Sequence, residues 1–366
     1  MKNLEMDFHW MTYALRLAER GRGWVSPNPI VGACLVKKNR LVASAFHAKF
    51  GGPHAEAEVI RKAGKKAKGA TLYVTLEPCS SYGKTPPCTD AILSAGIKRV
   101  VVGTLDLNPR HNGRAIKMLK KRRISVTTGI LKKETEHQNQ TFFKWIQTKI
   151  PFVILKMAQS LDGKIASRTG KSRWISGPEA RQWVHGLRAS VDAVLVGKNT
   201  LLLDDPRLTV RNGKIHREPW RIILDRRGES PKRARIFKNQ GPVILACSVR
   251  FFKRVARKFN QTSVTILPLK EKAGKLDLNE LLKRLGSLGI TSLLVEGGGE
   301  VAWSFLNLKR VDKIAWVIAP KIVGGKDAKT SVEGLGVDSL QEASGIQIER
   351  LSSLGEDFLL EGHIRS

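Results

Sequence analysis

Two unlike α/β domains in tandem are the fold class that this sequence predicts, on three observations. At 366 residues the chain exceeds the usual size of a single domain. Strand-like apolar runs alternate with helix-period segments in both halves, the pattern of a sheet covered by helices. No repeat relates the halves, so different domains are expected, over 1–147 and 148–366.

From residue 5 to about 22, Met6, Trp10, Ala14, Leu15 and Leu17 recur at helical spacing and end in Gly21. Strand-like runs follow at 30–36 and 41–46, parted by Lys38-Asn39-Arg40. A helix is expected over 54–63, then strand 71–76, helix 89–95, strand 99–103, helix 114–121 and strand 124–128. One helix over 131–147 leads to Lys149-Ile150-Pro151, where the second domain should begin with strand 152–157. Beyond it, strands are expected at 193–197, 221–225, 243–247, 292–296 and 314–318, with helices at 277–285 and 300–306.

The four cysteines, Cys34, Cys79, Cys88 and Cys247, are too few and scattered for a disulfide scaffold. Cys34 and Cys247 lie in apolar runs and read as buried, inert thiols. No apolar stretch approaches the roughly 20 residues of a membrane span, and the start lacks a signal-peptide core, so a cytoplasmic protein is expected. The net charge of +32 is spread over both halves, with no basic tail or single basic domain. Such a charge can mean nucleic acid, an anionic membrane or phosphorylated small molecules; without a basic tail or domain, a generally basic proteome or attraction of anionic substrates is expected over a specific nucleic-acid role.

The sharpest chemical signal is Pro53-His54-Ala55-Glu56, answered by Glu77-Pro78-Cys79 and then Cys88. One imidazole and two thiolates suit a Zn²⁺ that keeps a fourth position for water and lowers the pKa of that water toward neutrality. In zinc nucleobase deaminases a His-x-Glu element and Pro-Cys-x-x-Cys do this work, the Glu as acid/base and not as ligand. His54, Cys79 and Cys88 are therefore the expected metal ligands and Glu56 the catalytic acid/base. Here eight residues, Ser80 to Pro87, separate the thiols. In the second half, Glu296-Gly297-Gly298-Gly299-Glu300 follows an apolar strand and opens a helix, where backbone N–H groups could face a phosphate. A plain tight turn explains it almost as well, and it departs from the G-x-G-x-x-G dinucleotide fingerprint.

Longer motifs decide between these possibilities. Ser26-Pro27-Asn28-Pro29-Ile30-Val31-Gly32, Thr75-Leu76-Glu77-Pro78-Cys79-Ser80 and Gly83-Lys84-Thr85-Pro86-Pro87-Cys88 resemble the bifunctional deaminase/reductase family of riboflavin biosynthesis. So do Lys156 to Ala166, Ser172-Arg173-Trp174-Ile175, Leu187-Arg188, Asp204 to Arg211 and Val295-Glu296-Gly297-Gly298 in the second half. The resemblance covers nearly the whole chain. It implies a cytidine-deaminase-like three-layer αβα domain followed by a dihydrofolate-reductase-like α/β domain. The implied reactions are zinc-dependent hydrolytic deamination of 2,5-diamino-6-(5-phosphoribosylamino)pyrimidin-4-one and NADPH-dependent reduction of its ribosyl arm to ribityl. The product is 5-amino-6-(5-phosphoribitylamino)uracil.

By the same resemblance Asn28, His47, Lys84, Asp106 and Asn108 would contact the pyrimidine or its ribose phosphate, with Lys84 on the phosphate. Ala158, Trp174, Thr200, Asp204 and Gly297, Gly298 and Gly299 would line the NADPH site, and Ser172, Arg188, Leu208, Arg211 and Glu296 would face the second substrate. Ser81 stands where the family usually carries a substrate-facing His. Homodimers or homotetramers are implied, with phosphorylated pyrimidines as ligands and neither nucleic acid nor membrane as partner. A nucleobase-editing deaminase would instead predict a short Cys-x-x-Cys and no second half of this kind. A degenerate nucleic-acid-binding protein of the same fold would not be expected to keep all three ligands and Glu56.

Overall fold

The computed structural model describes residues 2–82, 86–109, 111–211, 217–260 and 262–365. The chain divides into two compact units, Met1–Lys149 and Ile150–Ser366.

In the first unit, strands β1 (Gly32–Lys37), β2 (Arg40–Phe46), β3 (Thr71–Leu76), β4 (Arg99–Thr104) and β5 (Ser125–Thr128) form a sheet in the order β2-β1-β3-β4-β5. β1 pairs antiparallel with β2 and β3, while β3, β4 and β5 run parallel. Side chains alternate across a strand, so consecutive apolar residues serve opposite faces. Tyr73, Val101 and Cys34 pack with Met11 and Ala14 of α1 (Lys2–Ala18). Leu72, Val74, Val100 and Val102 face the other way, toward α2 (Ala55–Ala63), α3 (Cys88–Ser94) and α4 (Arg114–Lys121) through Val59, Ile92 and Leu119. The result is three layers, αβα. Gly32 lets α1 approach closely, since a Cβ there would lie 2.0 Å from the Ala14 carbonyl oxygen.

The single helix expected over 131–147 is two, α5 (Lys132–Gln138) and α6 (Gln140–Thr148). They break at Asn139, whose Oδ1 accepts from the Ile30 N–H at 2.9 Å and whose Nδ2 donates to the Ile30 carbonyl at 3.0 Å. The buried amide thus serves a distant loop instead of the helix. On the α1 face, Arg99 forks onto Asp7 at 2.8 and 2.6 Å, and the Tyr73 hydroxyl donates to the same carboxylate at 2.9 Å. Asp7→Ala strands a guanidinium and a phenol, and is expected to lower the stability of this unit by about 3 kcal/mol, read as an earlier urea midpoint.

In the second unit β6 (Phe152–Ser160), β7 (Ala193–Gly197), β8 (Trp220–Leu224), β9 (Val243–Ser248) and β10 (Val264–Leu269) join β13, β14, β15 and β16 in one sheet, while β11 (Glu271–Lys272) and β12 (Lys275–Leu276) make a small separate hairpin. β13 is Ser292–Val295, β14 Lys313–Ala319, β15 Ile346–Leu354 and β16 Asp357–Ile364, and the order is β10-β9-β8-β7-β13-β6-β14-β16-β15. All strands from β10 to β14 in that order are parallel, and β16 and β15 close the edge antiparallel. Leu155, Leu195 and Leu293 face α11 (Leu278–Ser287) and α12 (Gly299–Asn307). Ile154, Val194, Val196 and Leu294 face α7 (Pro178–Ser190), α8 (Lys198–Asp204) and α9 (Arg235–Lys238). α10 (Phe252–Phe259) packs Val255 and Phe259 near Cys247 of β9.

After β10 the chain returns to insert β13 between β7 and β6. That reversal opens a crevice at the carboxyl ends of these strands, where open α/β sheets bind ligands. Cys34 and Cys247 are fully buried, and burial pushes their thiols up to about 12 and about 11.

Candidate active sites

In the first unit, strand ends and helix starts bring the chemistry together. His54 caps α2 and Glu56 lies in its first turn, Cys79 follows β3, and Cys88 opens α3. His54 Nδ1 lies 3.5 Å from Cys79 Sγ and 3.4 Å from Cys88 Sγ. A tetrahedral centre with Zn–S of about 2.3 Å and Zn–N of about 2.0 Å places N and S about 3.5 Å apart, so the donor set fits zinc. The Cys88 thiol and the His54 ring hold Cys79 down to about 4, although burial opposes them. Glu56 is buried, and burial pushes its carboxyl up to about 7.

Around this cluster, His47 Nδ1 donates to the Pro53 carbonyl at 3.0 Å, which leaves Nε2 to accept from Asn28 Nδ2 at 3.1 Å. Burial holds His47 below the usual histidine range, consistent with a neutral ring. The ring stands edge-on to His54 with centroids 5.3 Å apart. Asn28 and His47 are thus tied to the turn that presents His54. Glu77, two residues before Cys79, is buried and accepts from the Asp106, Gly113 and Ala115 N–H groups at 3.2, 2.8 and 3.1 Å. One carboxylate therefore ties the Asp106 end of the loop after β4 to the start of α4, beside the His54, Cys79 and Cys88 cluster. Within that loop Asp106 Oδ1 accepts from the Asn108 N–H at 2.8 Å. Ser81 is exposed, and Lys84 lies outside the described residues.

In the second unit, a cavity of about 790 Å³ sits at the carboxyl ends of β7 and β8 and beside the turn after β13. Ser172, Thr200, Asp204, Gly298 and Gly299 line it. A Cβ on Gly299 would come within 2.6 Å of the Thr330 carbonyl, and one on Gly297 within 2.6 Å of Val301 Cβ. At Gly298 the nearest neighbour would be Thr200 Oγ1 at 3.7 Å, so this glycine leaves room on the cavity side. The volume and the bare backbone at the start of α12 fit an extended phosphate-bearing cofactor.

A second cluster stands on β6, α7 and the end of β13. Arg188 forks onto Glu296, Nε to Oε1 at 2.7 Å and Nη2 to Oε2 at 2.8 Å. Burial pushes the Glu296 carboxyl up, but Arg188 and Lys156 outweigh it and hold it below the usual range. Burial lowers the Lys156 ammonium. Arg211 Nη2 faces His185 Nε2 at 3.4 Å, and burial together with Arg188, Arg207 and Arg235 depresses its guanidinium. Cations gathered around one carboxylate leave a positive site suited to a phosphate.

The stretch 4–104 matches the cytidine and deoxycytidylate deaminase zinc-binding region, and 151–360 matches the RibD C-terminal domain. The riboflavin biosynthesis protein RibD of Aquifex aeolicus is 43% identical over 357 residues, covering 97% of this chain and 98% of that protein. The chain belongs to the RibD family. The RibD of Escherichia coli is 38% identical, over 97% of this chain and 98% of that one. Among solved structures, a RibD of Acinetobacter baumannii superposes with a TM-score of 0.89 at 35% identity, covering 99% of this chain and 100% of that one. A deaminase/reductase of Thermotoga maritima gives 0.88 at 36%, with the same coverage. The cytidine-deaminase-like and RibD reductase domains expected from the sequence are thus both present. Among the described residues, no helix is long and apolar enough to cross a membrane.

Against this RibD frame some residues sit differently from expectation. Ser172, expected to face the second substrate, lines the cavity and donates to Asp204 Oδ1 at 2.6 Å. Leu208 gives its side chain to the core, which leaves its backbone for a ligand. Ala158 packs with Val317 and Leu359, and Trp174 is exposed, with the Arg181 guanidinium 4.6 Å over its ring. Neither Ala158, Trp174 nor Gly297 is among the described residues lining the cavity. Sequence reasoning missed Glu77 as an anchor, and Lys156 and His185 as members of the cluster around Glu296. Their available signals were a buried-strand Lys between Leu155 and Met157, and a His one helical turn before Arg188.

Proposed function

We propose that the first unit hydrolytically deaminates 2,5-diamino-6-(5-phosphoribosylamino)pyrimidin-4-one and that the second reduces the ribosyl arm of the product with NADPH. The observation that carries this reading is the convergence of His54, Cys79, Cys88 and buried Glu56 in a chain related to RibD over nearly its whole length. His54, Cys79 and Cys88 would hold Zn²⁺, which when bound supplies the Lewis acidity that makes water a nucleophile near neutral pH. Glu56 would carry one proton of the attacking water to the ring nitrogen and then the remaining hydroxyl proton to the departing amine, so that the C–N bond breaks as the carbonyl forms, water is consumed and ammonia is released. Asn28, His47, Asp106 and Asn108 border the substrate, with Lys84 on its phosphate.

In the second unit Thr200, Asp204, Gly298 and Gly299, which line the cavity, would seat the NADPH, and Ala158, Trp174 and Gly297, outside that lining, would contact it only where it extends beyond the cavity. When bound it supplies the hydride for C1 of the opened sugar. Arg188, Arg211, Glu296, Ser172 and the Leu208 backbone would orient the substrate, since hydride transfer depends mainly on placement. The basic surface draws phosphorylated ligands in. We place both reactions in the cytoplasm and expect a homodimer or homotetramer.

The test supplies the diaminopyrimidinone phosphate to zinc-loaded protein with and without NADPH, and follows ammonia and NADPH oxidation separately. Ammonia release without NADPH, and oxidation only after deamination, is the expected order; oxidation with the undeaminated compound as the preferred substrate refutes it. Cys79→Ser removes one of two thiolates, and bound zinc measured by elemental analysis after dialysis is expected to fall from one per chain to under about a tenth.

A further inference from the structure

β8 ends at Leu224 and delivers Asp225, Arg226 and Arg227 to the cavity of the second unit. Beside a glycine-rich turn on a parallel sheet, an acidic residue at such a strand end accepts from the free 2′-hydroxyl of an adenosine ribose, whereas an arginine there accommodates a 2′-phosphate. This chain offers both, and the structure gives them different work. Asp225 is buried; its Oδ2 accepts from the Ser230 N–H at 2.7 Å and from the Ser230 hydroxyl at 2.6 Å, and its Oδ1 is closed off from solvent. The carboxylate closes the 225–230 turn: Ser230 takes Oδ2, and Oδ1, though unpartnered, has no exposed surface to offer a ribose hydroxyl.

The two arginines remain at the cavity. Arg226 Nη1 donates to Glu271 Oε2 at 3.0 Å, which holds the side chain without enclosing it, and Arg227 Nη1 stands 3.9 Å from Glu229. Glu229 is itself engaged by the Lys198 ammonium at 2.5 Å. Arg226 also borders a second cavity of about 910 Å³, between the β11–β12 hairpin and α12, with Leu278, Trp303 and Leu308 on its apolar wall. Arg226, with Arg227 beside it in the first cavity, therefore stands where the two cavities share a wall, the junction that the phosphorylated ribose of an extended dinucleotide would occupy with its adenine beyond. A dianion held between two guanidinium groups gains charge-assisted bonds that a hydroxyl cannot make.

We propose that Arg226 and Arg227 select the 2′-phosphorylated dinucleotide in this unit. The inference rests on the reading of the cavity as a nicotinamide dinucleotide site. It makes these two side chains the discriminating ones and excludes Asp225 from that role.

The test is calorimetric titration of the full chain with NADP⁺, NAD⁺, adenosine 2′,5′-bisphosphate and 5′-AMP, for the native protein and for R226Q/R227Q, with R226Q and R227Q singly as companions and melting curves to confirm folding. The native protein is expected to bind the bisphosphate and NADP⁺ about 30-fold or more tightly than 5′-AMP and NAD⁺. In the double variant the preference should shrink to about threefold, through weaker binding of the 2′-phosphorylated ligands alone, and each single variant should lose part of it. A preference that survives R226Q/R227Q, or native binding that ignores the 2′-phosphate, overturns the assignment while leaving the dinucleotide reading intact. Failure of NADP⁺ and NAD⁺ alike to bind the native protein refutes the dinucleotide reading and this inference with it.

Discussion

Glu56→Gln is expected to cut ammonia release by about a thousandfold while one zinc per chain stays bound. A positioned acid/base group contributes about 10²–10⁴-fold, and glutamine keeps the shape of glutamate while losing its capacity to take and return a proton. The side chain is buried beside Cys88 and His54 and is not one of the three donors, so its replacement leaves the metal set in place. Ammonia release followed beside elemental analysis separates the two effects. Loss of both together would make Glu56 a structural support of the cluster, and substantial residual deamination would remove it from the chemistry. NADPH oxidation with the deaminated compound supplied directly should proceed, because that step belongs to the other unit.

Arg188→Ala should produce the second large effect, and in two separable parts. Glu296 is largely enclosed and loses both hydrogen bonds at once, so its folded-state pKa should rise from its depressed position. In the native protein a carboxyl of depressed pKa contributes stability that is fully present above the unfolded value of about 4.3 and is lost as pH falls through the folded value. In the variant that contribution disappears at neutral pH as well, at a cost of about 3 kcal/mol for the stranded charge. The other part is catalytic: substrate KM should rise about 100-fold, with the KM for NADPH little changed. Adding Glu296→Gln removes the stranded charge, so the double variant should recover most of the stability and none of the substrate affinity. Urea unfolding and steady-state kinetics on the single and double variants read the two parts independently. If KM recovers along with stability, Arg188 serves the fold alone.

What the sequence disclosed follows how local each signal is. Strands 71–76 and 193–197 and helix 114–121 match the observed bounds because apolar pattern alone specifies them. The break at Asn139 had no local mark: a mid-helix Asn is common enough, and the cause is a loop 109 residues away. Helix α7, which carries Arg188, went unread although Pro178 at its first turn and Ala180, Trp183, Val184 and Leu187 at helical spacing announce it. The cluster of His54, Cys79 and Cys88 was legible because His-x-Glu and Pro-Cys are short motifs with fixed chemistry. The pairing of Arg188 with Glu296 spans 108 residues, and the three amides on Glu77 come from positions 29 to 38 residues on, so only the fold could bring them together.

That Glu77 carboxylate bears on heredity as well as geometry. A substitution there, two residues before Cys79, would orphan three amides, of which those of Asp106 and Ala115 are buried, so changes between β4 and the start of α4 are coupled to changes around Cys79 through one carboxylate. Loop and ligand form one selectable unit. New pyrimidine preferences on this scaffold are therefore more accessible through segments that Glu77 does not bind, among them the wide interval between the two thiols.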